Sequence, residues 1–341
     1  MADLKIGVVG SGAVGGVIAT ILAESGFNVE MLYKHEDGLM MDNYVNMDVI
    51  GVFGEHSYLV KSVKSVEKFN EKKDVIFVTT RAYSVAENVK NVVPYLSENG
   101  IVVVAGNVLM YQDIRQYLPL SRVVSMFIEW SSVRISPCKI KVLSQGKTTI
   151  GIYDKTARPF LGIVKALLER ISKVEISENM LEFTLSRIVM NSAISAIGAI
   201  SGLRLGKFLD DKKGRTLFKN LINEAVMVFN ELGVNIPKYH NQLDYYRFVD
   251  NTFKGKLYAR KMMNLIKKNN GYLISSMLND LDNGKKTEID YLTGKICRLA
   301  KVKNVSVPYS DQVVRIVKEI EKGNRTIYKE NIDEVLECAK N

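Results

Sequence analysis

Arg187, Asn191 and Ser195 stand at i, i+4 and i+8 in the run Arg187-Ile-Val-Met-Asn191-Ser-Ala-Ile-Ser195-Ala-Ile-Gly198-Ala-Ile200. On a helix they form one polar stripe, with Thr184 three residues before Arg187. The remainder of the run is apolar, which indicates a buried helix, and a charge on a buried helix needs a partner. That partner is either a substrate carbonyl or carboxylate, or an acidic residue in a structural ion pair. A second constellation follows in Ile274-Ser275-Ser276-Met-Leu-Asn-Asp280 and Thr287-Glu288-Ile-Asp290-Tyr291. Thr287 reads as a helix N-cap with Asp290 closing a capping box, which places Glu288 in the first turn. Glu288 is then left to face a ligand, and Ser275 and Ser276 offer hydroxyls to a carboxylate.

The third constellation is a phosphate turn. Lys5-Ile-Gly-Val-Val runs into Gly10-Ser11-Gly12-Ala13-Val14-Gly15 and then into an Ala/Ile/Leu-rich segment. Gly10 permits a tight turn, Gly12 leaves room for a pyrophosphate, and Gly15 lets a helix pack on the strand, with free N–H groups facing the anion. An NAD site usually puts Asp or Glu at the end of the second strand, but here that place holds Tyr33-Lys34-His35. A cation there attracts a 2′-phosphate, so NADP(H) is favoured over NAD; Glu36 close by is the alternative, a partner for the ribose. The third strand ends in Thr79-Thr80-Arg81 and the fourth in Ala105-Gly106-Asn107. Arg81 offers a planar fork to phosphate or carboxylate, and Asn107 an amide to a ribose or substrate oxygen, unless Gly-Asn is only a turn.

The elements that must position these groups fall into two regions. From residue 1 to 177, short β-branched runs alternate with helical segments: Lys5–Val9, Asn28–Tyr33, Val75–Thr79 and Ile101–Ala105, weaker ones near Val123–Ile128 and Thr148–Ile152, a helix over Ala157–Arg170 and a last strand at Lys173–Ser177. That pattern predicts an α/β domain with a parallel sheet. Residues 178–341 read as an all-α domain of long amphipathic helices broken at glycines and prolines. The 341 residues suit two domains.

The net charge of +10 raises nucleic acid as a partner. The basic residues Lys254, Lys256, Arg260, Lys261, Lys267 and Lys268, however, alternate at helical spacing with Leu257, Met262, Met263, Leu265 and Ile266, the pattern of a solvated helix face, so no nucleic-acid partner is expected. No run is read as apolar enough to span a membrane. Met1–Lys5 lead straight into the first strand, so no signal peptide and a cytoplasmic location are expected. Cys138, Cys297 and Cys338, with three histidines in the chain, suggest reduced thiols and no metal centre.

Taken together, the glycine turn with Lys34, Asn107, Asn191 on the buried helix, and Ser275-Ser276-Met-Leu-Asn-Asp with Thr287-Glu288-Ile-Asp290-Tyr resemble the ketopantoate reductases. These NADPH-dependent enzymes make pantoate for pantothenate and coenzyme A synthesis. The resemblance spans nearly the whole chain. It implies an N-terminal Rossmann domain, a helical C-terminal domain for substrate and dimerisation, a site in the cleft between them, and a homodimer. By the same resemblance Arg187, Glu288 and Asn107 are the catalytic residues, with Glu288 and Asn107 also facing the cofactor, and Asn191, Ser195, Ser275 and Ser276 hold substrate. Gly10 to Gly15, Lys34 and Arg81 hold NADP(H).

The sequence departs from the family pattern at the substrate end. The family's catalytic lysine, four residues before the asparagine matching Asn191, falls on Arg187. Arg81 stands where a lysine is usual, Ser195 where a second asparagine is usual, and Asn107-Val108 where Asn-Gly is usual. Arginine stays protonated at any working pH and is a poor proton donor. The expected activities are therefore reduction of a 2-oxo acid, ketopantoate first, or a related NADP-dependent reaction on another substrate, or NADP(H) binding without turnover as a sensor.

Overall fold

The computed structural model describes residues 3–34, 43–106 and 110–338. The chain divides into two compact units, Met1–Leu181 and Glu182–Asn341.

In the first unit the strands are β1 (Lys5–Val9), β2 (Asn28–Leu32), β3 (Tyr44–Gly51), β4 (His56–Val63), β5 (Lys73–Val78), β6 (Leu96–Ala105), β7 (Val123–Ile128), β8 (Ser131–Ser136), β9 (Lys139–Ser144), β10 (Thr148–Gly151) and β11 (Val174–Ile176). They form one sheet in the order β11-β10-β7-β6-β5-β1-β2-β4-β3-β9-β8. From β7 through β4 every neighbouring pair is parallel. Strands such as β1 and β5 are near-continuous apolar runs because both faces are covered. Helices α1 (Ala13–Glu24), α2 (Ala82–Val92), α3 (Tyr111–Ile114) and α4 (Phe160–Leu168) accompany the sheet, and α1 buries Gly15 through Ala23. The α/β expectation holds.

The sheet is wider and less uniformly parallel than the sequence pattern suggests. β3, β4, β8 and β9 are additional strands, and the pairs β3/β4, β8/β9 and β7/β10 are antiparallel. Their partly exposed residues give β4 and β8 a mixed polar and apolar pattern, which carries no clean two-residue alternation.

The chain leaves β1 for β2 on one side, and β5 then joins β1 on the other. This is the switch point outside the carboxyl ends of strands where α/β sheets bind ligands. Gly10 turns the chain there with φ +108°, and the Thr79 hydroxyl donates to its carbonyl at 2.8 Å. A Cβ on Gly15 would lie 2.0 Å from the Gly10 carbonyl oxygen, so helix and turn meet backbone to backbone.

The second unit is helical: α5 (Met180–Ser201, which starts at the end of the first unit), α6 (Leu205–Asp210), α7 (Lys212–Glu231), α8 (Tyr245–Val249), α9 (Phe253–Asn270), α10 (Ser276–Asp282), α11 (Thr293–Lys303), α12 (Pro308–Glu321) and α13 (Asn331–Glu337). Against the expectation that no run is apolar enough to span a membrane, α5 has the length and hydropathy to do so. Its apolar window is 83% buried inside the protein, however, as in a core helix. The basic residues noted above lie on α9, which buries Ala259, Met262 and Met263 and leaves Leu257 exposed. The cysteines are free thiols.

Glu224 on α7 fixes the start of α12: its two carboxyl oxygens accept from the Tyr309 and Ser310 N–H groups, each at 2.8 Å. Burial pushes its pKa up to about 7, against the pull of those donors and the Ser310 hydroxyl. Between the ordinary carboxyl value of 4.5 and about 7, the folded chain therefore keeps a proton that the unfolded chain has lost. The stabilisation from this group is complete below that window and disappears as pH rises through it. Urea unfolding at pH 5 and pH 8 should show a loss of up to about 3 kcal/mol on the alkaline side, and Glu224→Gln should flatten the difference. An unchanged pH profile in Glu224→Gln would remove Glu224 as its source.

Candidate active site

The N-terminus of α1 is bounded by Gly12, whose backbone is extended and which provides no side-chain cap; the first turn has no acidic residue. Helices α7, α8, α9 and α10 by contrast are each capped by a side chain, from Asp211, Asp244, Thr252 and Ser275. Gly12 is exposed, and a Cβ on it would meet nothing within 4 Å. The residues Gly10, Ser11, Gly12, Ala13, Val14 and Gly15 thus present an uncapped, unobstructed helix start to an anion, which fits a dinucleotide pyrophosphate. Arg81 is the N-cap residue of α2 and half-buried, two residues beyond the Thr79 that grips the turn.

At the end of β2, Tyr33 is fully buried and its hydroxyl lies 3.3 Å from the Cys138 Sγ. Lys34 is exposed beside it. The acidic residue within β2, Glu30, is committed elsewhere, pairing with Lys73 at 2.6 Å and Lys61 at 3.0 Å. Sequence reasoning missed one cation here. Arg134 of β8 stacks over the Tyr33 ring with its guanidinium carbon 5.8 Å from the centroid, and burial lowers its pKa. Arg134 lies far from Lys34 in sequence and on an unrecognised strand, so no spacing signal could reveal it. Asn107 and Glu36 lie outside the described residues. The neighbouring Gly106 lines a small pocket with Met110, Tyr111, Ser125 and Tyr153.

In the second unit, Arg187 is 6% exposed on α5. Its Nη1 donates to the Tyr239 hydroxyl at 2.7 Å and meets the His240 Nε2 at 2.9 Å. Its guanidinium carbon lies 5.4 Å from the centroid of the Phe183 ring and 5.0 Å from that of Tyr239. An acidic partner was one expectation for this charge; a phenol, an imidazole and two aromatic faces are among its contacts. A guanidinium can only donate, so in this contact the His240 Nε2 is the acceptor.

Asn191 is half-buried and Ser195 buried along the same stripe. The stripe extends to Gly198, where an added Cβ would come 2.6 Å from the Ser275 Oγ. The fold thus brings Ser275 against the helix face that bears Arg187, Asn191 and Ser195. Its hydroxyl caps α10 by accepting from the Leu278 N–H at 3.0 Å, and Ser276 beside it is exposed.

The capping box predicted at Thr287 does not form. Glu321 of α12 takes both the Thr287 N–H, at 2.8 Å, and its hydroxyl, at 2.6 Å, and Asp290 pairs with Lys318 of the same helix. Thr287 still accepts from the Ile289 N–H at 3.2 Å, but it initiates a single 3₁₀ turn over Ile289–Tyr291 with Glu288 half-buried at its head. The reason is tertiary. Two charged residues of α12 compete for the groups that a local box would have used, and they clamp the residues on either side of Glu288.

Comparison with known proteins agrees with this architecture. The family model for ketopantoate reductase PanE/ApbA matches residues 6–155, and that for its C-terminal part matches residues 179–321. The 2-dehydropantoate 2-reductase of Aquifex aeolicus is 25% identical over 326 residues, 94% of this chain and 98% of that protein. A PanE/ApbA family ketopantoate reductase from Ralstonia eutropha shares the fold with a TM-score of 0.78 at 18% identity, covering 95% of this chain and 100% of the other. D-mandelate dehydrogenase, solved with NADH and anilino(oxo)acetate, does so with a TM-score of 0.79 at 17% identity and the same coverage. With both family models matched in sequence order across most of its length, the chain belongs to the ketopantoate reductase family of oxidoreductases.

Proposed function

We propose that this chain reduces a 2-oxo acid to the 2-hydroxy acid with NADPH, with ketopantoate as the first substrate to test and pantothenate synthesis as its setting. In this reading residues 1–177 bind NADP(H), and residues 178–341 bind substrate and form a homodimer. The observation that carries it is Arg187, a buried guanidinium heading a polar stripe at the position where the family has its catalytic lysine.

The uncapped α1 start and the Gly12 backbone receive the pyrophosphate, and Lys34 receives the 2′-phosphate, with Arg134 over the ring of the adjoining Tyr33. Arg81 supplies a further cation to the cofactor. When bound, the nicotinamide supplies a hydride to the carbonyl carbon. Arg187 polarises the carbonyl oxygen and stabilises the charge that develops on it, with Asn107 as a second donor. Asn191, Ser195, Ser275 and Ser276 hold the carboxylate and hydroxyl groups, and Glu288 holds the substrate hydroxyl. A second reading, another 2-oxo acid with NADH, is favoured by one observation: the neighbour in fold described with NADH and an oxo acid.

The direct test is NADPH consumption by the purified protein with ketopantoate, pyruvate and branched 2-oxo acids in parallel. Turnover fastest with ketopantoate is expected; cofactor binding without turnover on any of them would overturn the reading in favour of a sensor. Lys34→Asp should weaken NADPH by about 1–2 kcal/mol more than NADH, whereas equal weakening would remove Lys34 from the phosphate site. Because the place of a Gly12 side chain is open, Gly12→Ala should fold with stability within about 1 kcal/mol of wild type. It should nonetheless lose NADP(H) affinity by at least about tenfold, measured by calorimetry, since the methyl occupies the approach of the pyrophosphate. Wild-type affinity in Gly12→Ala would place the cofactor elsewhere.

A further inference from the structure

We propose that Glu321, with Lys318, is a positioning residue for Glu288: it fixes the turn from which that carboxylate meets the hydroxyl of a 2-oxo acid, and so sets a preference for a hydroxylated substrate. The role rests on the 2-oxo-acid reading above, in which Glu288 holds that hydroxyl. Glu288 lies in the connection between α10 and α11, with φ −93° and ψ 19°. The Tyr291 and Leu292 N–H groups both return to its carbonyl, at 2.9 and 3.1 Å. Two bonds on one carbonyl do not hold a single 3₁₀ turn by themselves, because forming a first turn costs more conformational entropy than its bonds return.

Two kinds of contact hold the turn. Ile289 is fully buried and Leu292 nearly so, but apolar burial has no direction and fixes only how deep the turn sits. Orientation comes from polar contacts on either side of Glu288. Before it, the buried Thr287 gives both its N–H and its hydroxyl to one Glu321 oxygen, at 2.8 and 2.6 Å. The same hydroxyl accepts from the Ile289 N–H at 3.2 Å, so the chain of bonds passes across Glu288. After it, Asp290 pairs with Lys318, and the Arg298 Nη2 donates to the Asp290 carbonyl at 2.7 Å. Lys318 lies 3.6 Å from the second Glu321 oxygen. Three residues apart on one face of α12, the two charges thus close both halves of the clamp.

A further bond ties this turn to the polar stripe on α5. Thr293, five residues after Glu288 and the first residue of α11, donates its hydroxyl to the Ser192 carbonyl at 3.1 Å; both residues are buried. Ser192 follows Asn191 directly, so the segment that carries Glu288 is anchored beside the segment that carries Asn191. Loss of the α12 clamp would leave that anchor and the apolar residues in place and free the turn to shift against α5. A site that hydrogen-bonds a substrate hydroxyl rejects the analogue without it because its own polar groups are then left unpaired. That discrimination needs the carboxylate held to within about 1 Å.

Two readouts on the full chain test this. Residue-resolved amide hydrogen exchange in the unliganded protein should show the Tyr291 and Leu292 N–H groups exchanging at least about tenfold faster in Glu321→Ala, with the interior of α12 still protected. Glu321→Gln keeps an acceptor for Thr287 and should restore most of that protection. Unchanged exchange in Glu321→Ala would overturn the proposal without any substrate. In turnover at saturating NADPH, Glu321→Ala should lower kcat/KM for ketopantoate by about 10- to 100-fold. For the analogue with hydrogen in place of the ketopantoate hydroxyl, the loss should stay within a few-fold. Adding Glu321→Ala to Glu288→Ala should cost nothing further with ketopantoate. Equal losses with both oxo acids, or a further loss in the double variant, would make Glu321 a structural residue only and overturn the role. Faster exchange in a protein that reduces neither oxo acid would leave the clamp standing but overturn the substrate reading, and the positioning role with it.

Discussion

A guanidinium sunk into an apolar helix has to be satisfied by something, since an uncompensated buried charge costs several kcal/mol. Arg187 sets this constraint, and much of the second unit is arranged around it. The Phe183 ring lies one turn earlier on α5, the Tyr239 and His240 groups come from a turn held in a left-handed backbone, and Tyr245 ties the start of α8 to the α5 carbonyl of Ser186. An arginine at this place therefore does more than supply a positive charge. A planar donor with five N–H groups can bind two neutral acceptors and stack on aromatic faces at once, which an ammonium cannot do in that geometry.

The first unit meets an opposite requirement, a positive site held open. Where four helices of the second unit are closed by an Asp, Thr or Ser side chain, α1 begins on bare glycine backbone. Its first N–H groups and the positive end of the helix dipole are thus left without a side-chain cap. The close approach of Gly15 to the Gly10 carbonyl keeps this opening rigid, because neither partner has a side chain that can yield. Glu224, through α12, does comparable work in the second unit: it fixes the helix whose Glu321 and Lys318 clamp the residues flanking Glu288.

The parts legible in the sequence were those set by local rules. The strand, glycine turn and helix at the N-terminus were readable because the turn chemistry and both periodicities lie within twenty residues, and the stripe on α5 because helical spacing alone defines it. β8 at the sheet edge and β9 beside it were not, since strands with partly exposed residues lack a continuous apolar run. Thr287 and Asp290 had the spacing of a capping box, but Glu321 and Lys318 from another helix outcompeted it. Tyr239 and His240 stand 52 and 53 residues from Arg187, and Arg134 lies a hundred residues beyond Lys34; nothing in spacing connects such partners before the chain has folded.

The most direct test of the account is the fate of a deuterium atom carried at C4 of the reduced nicotinamide. With ketopantoate or the 2-oxo acid that turns over fastest, the account predicts a single deuterium at C2 of the hydroxy acid, from one face of the nicotinamide, and a proton from solvent on the oxygen. Oxidation of the cofactor with no deuterium in the acid would contradict it, because the electrons would then be going somewhere other than the carbonyl held by Arg187.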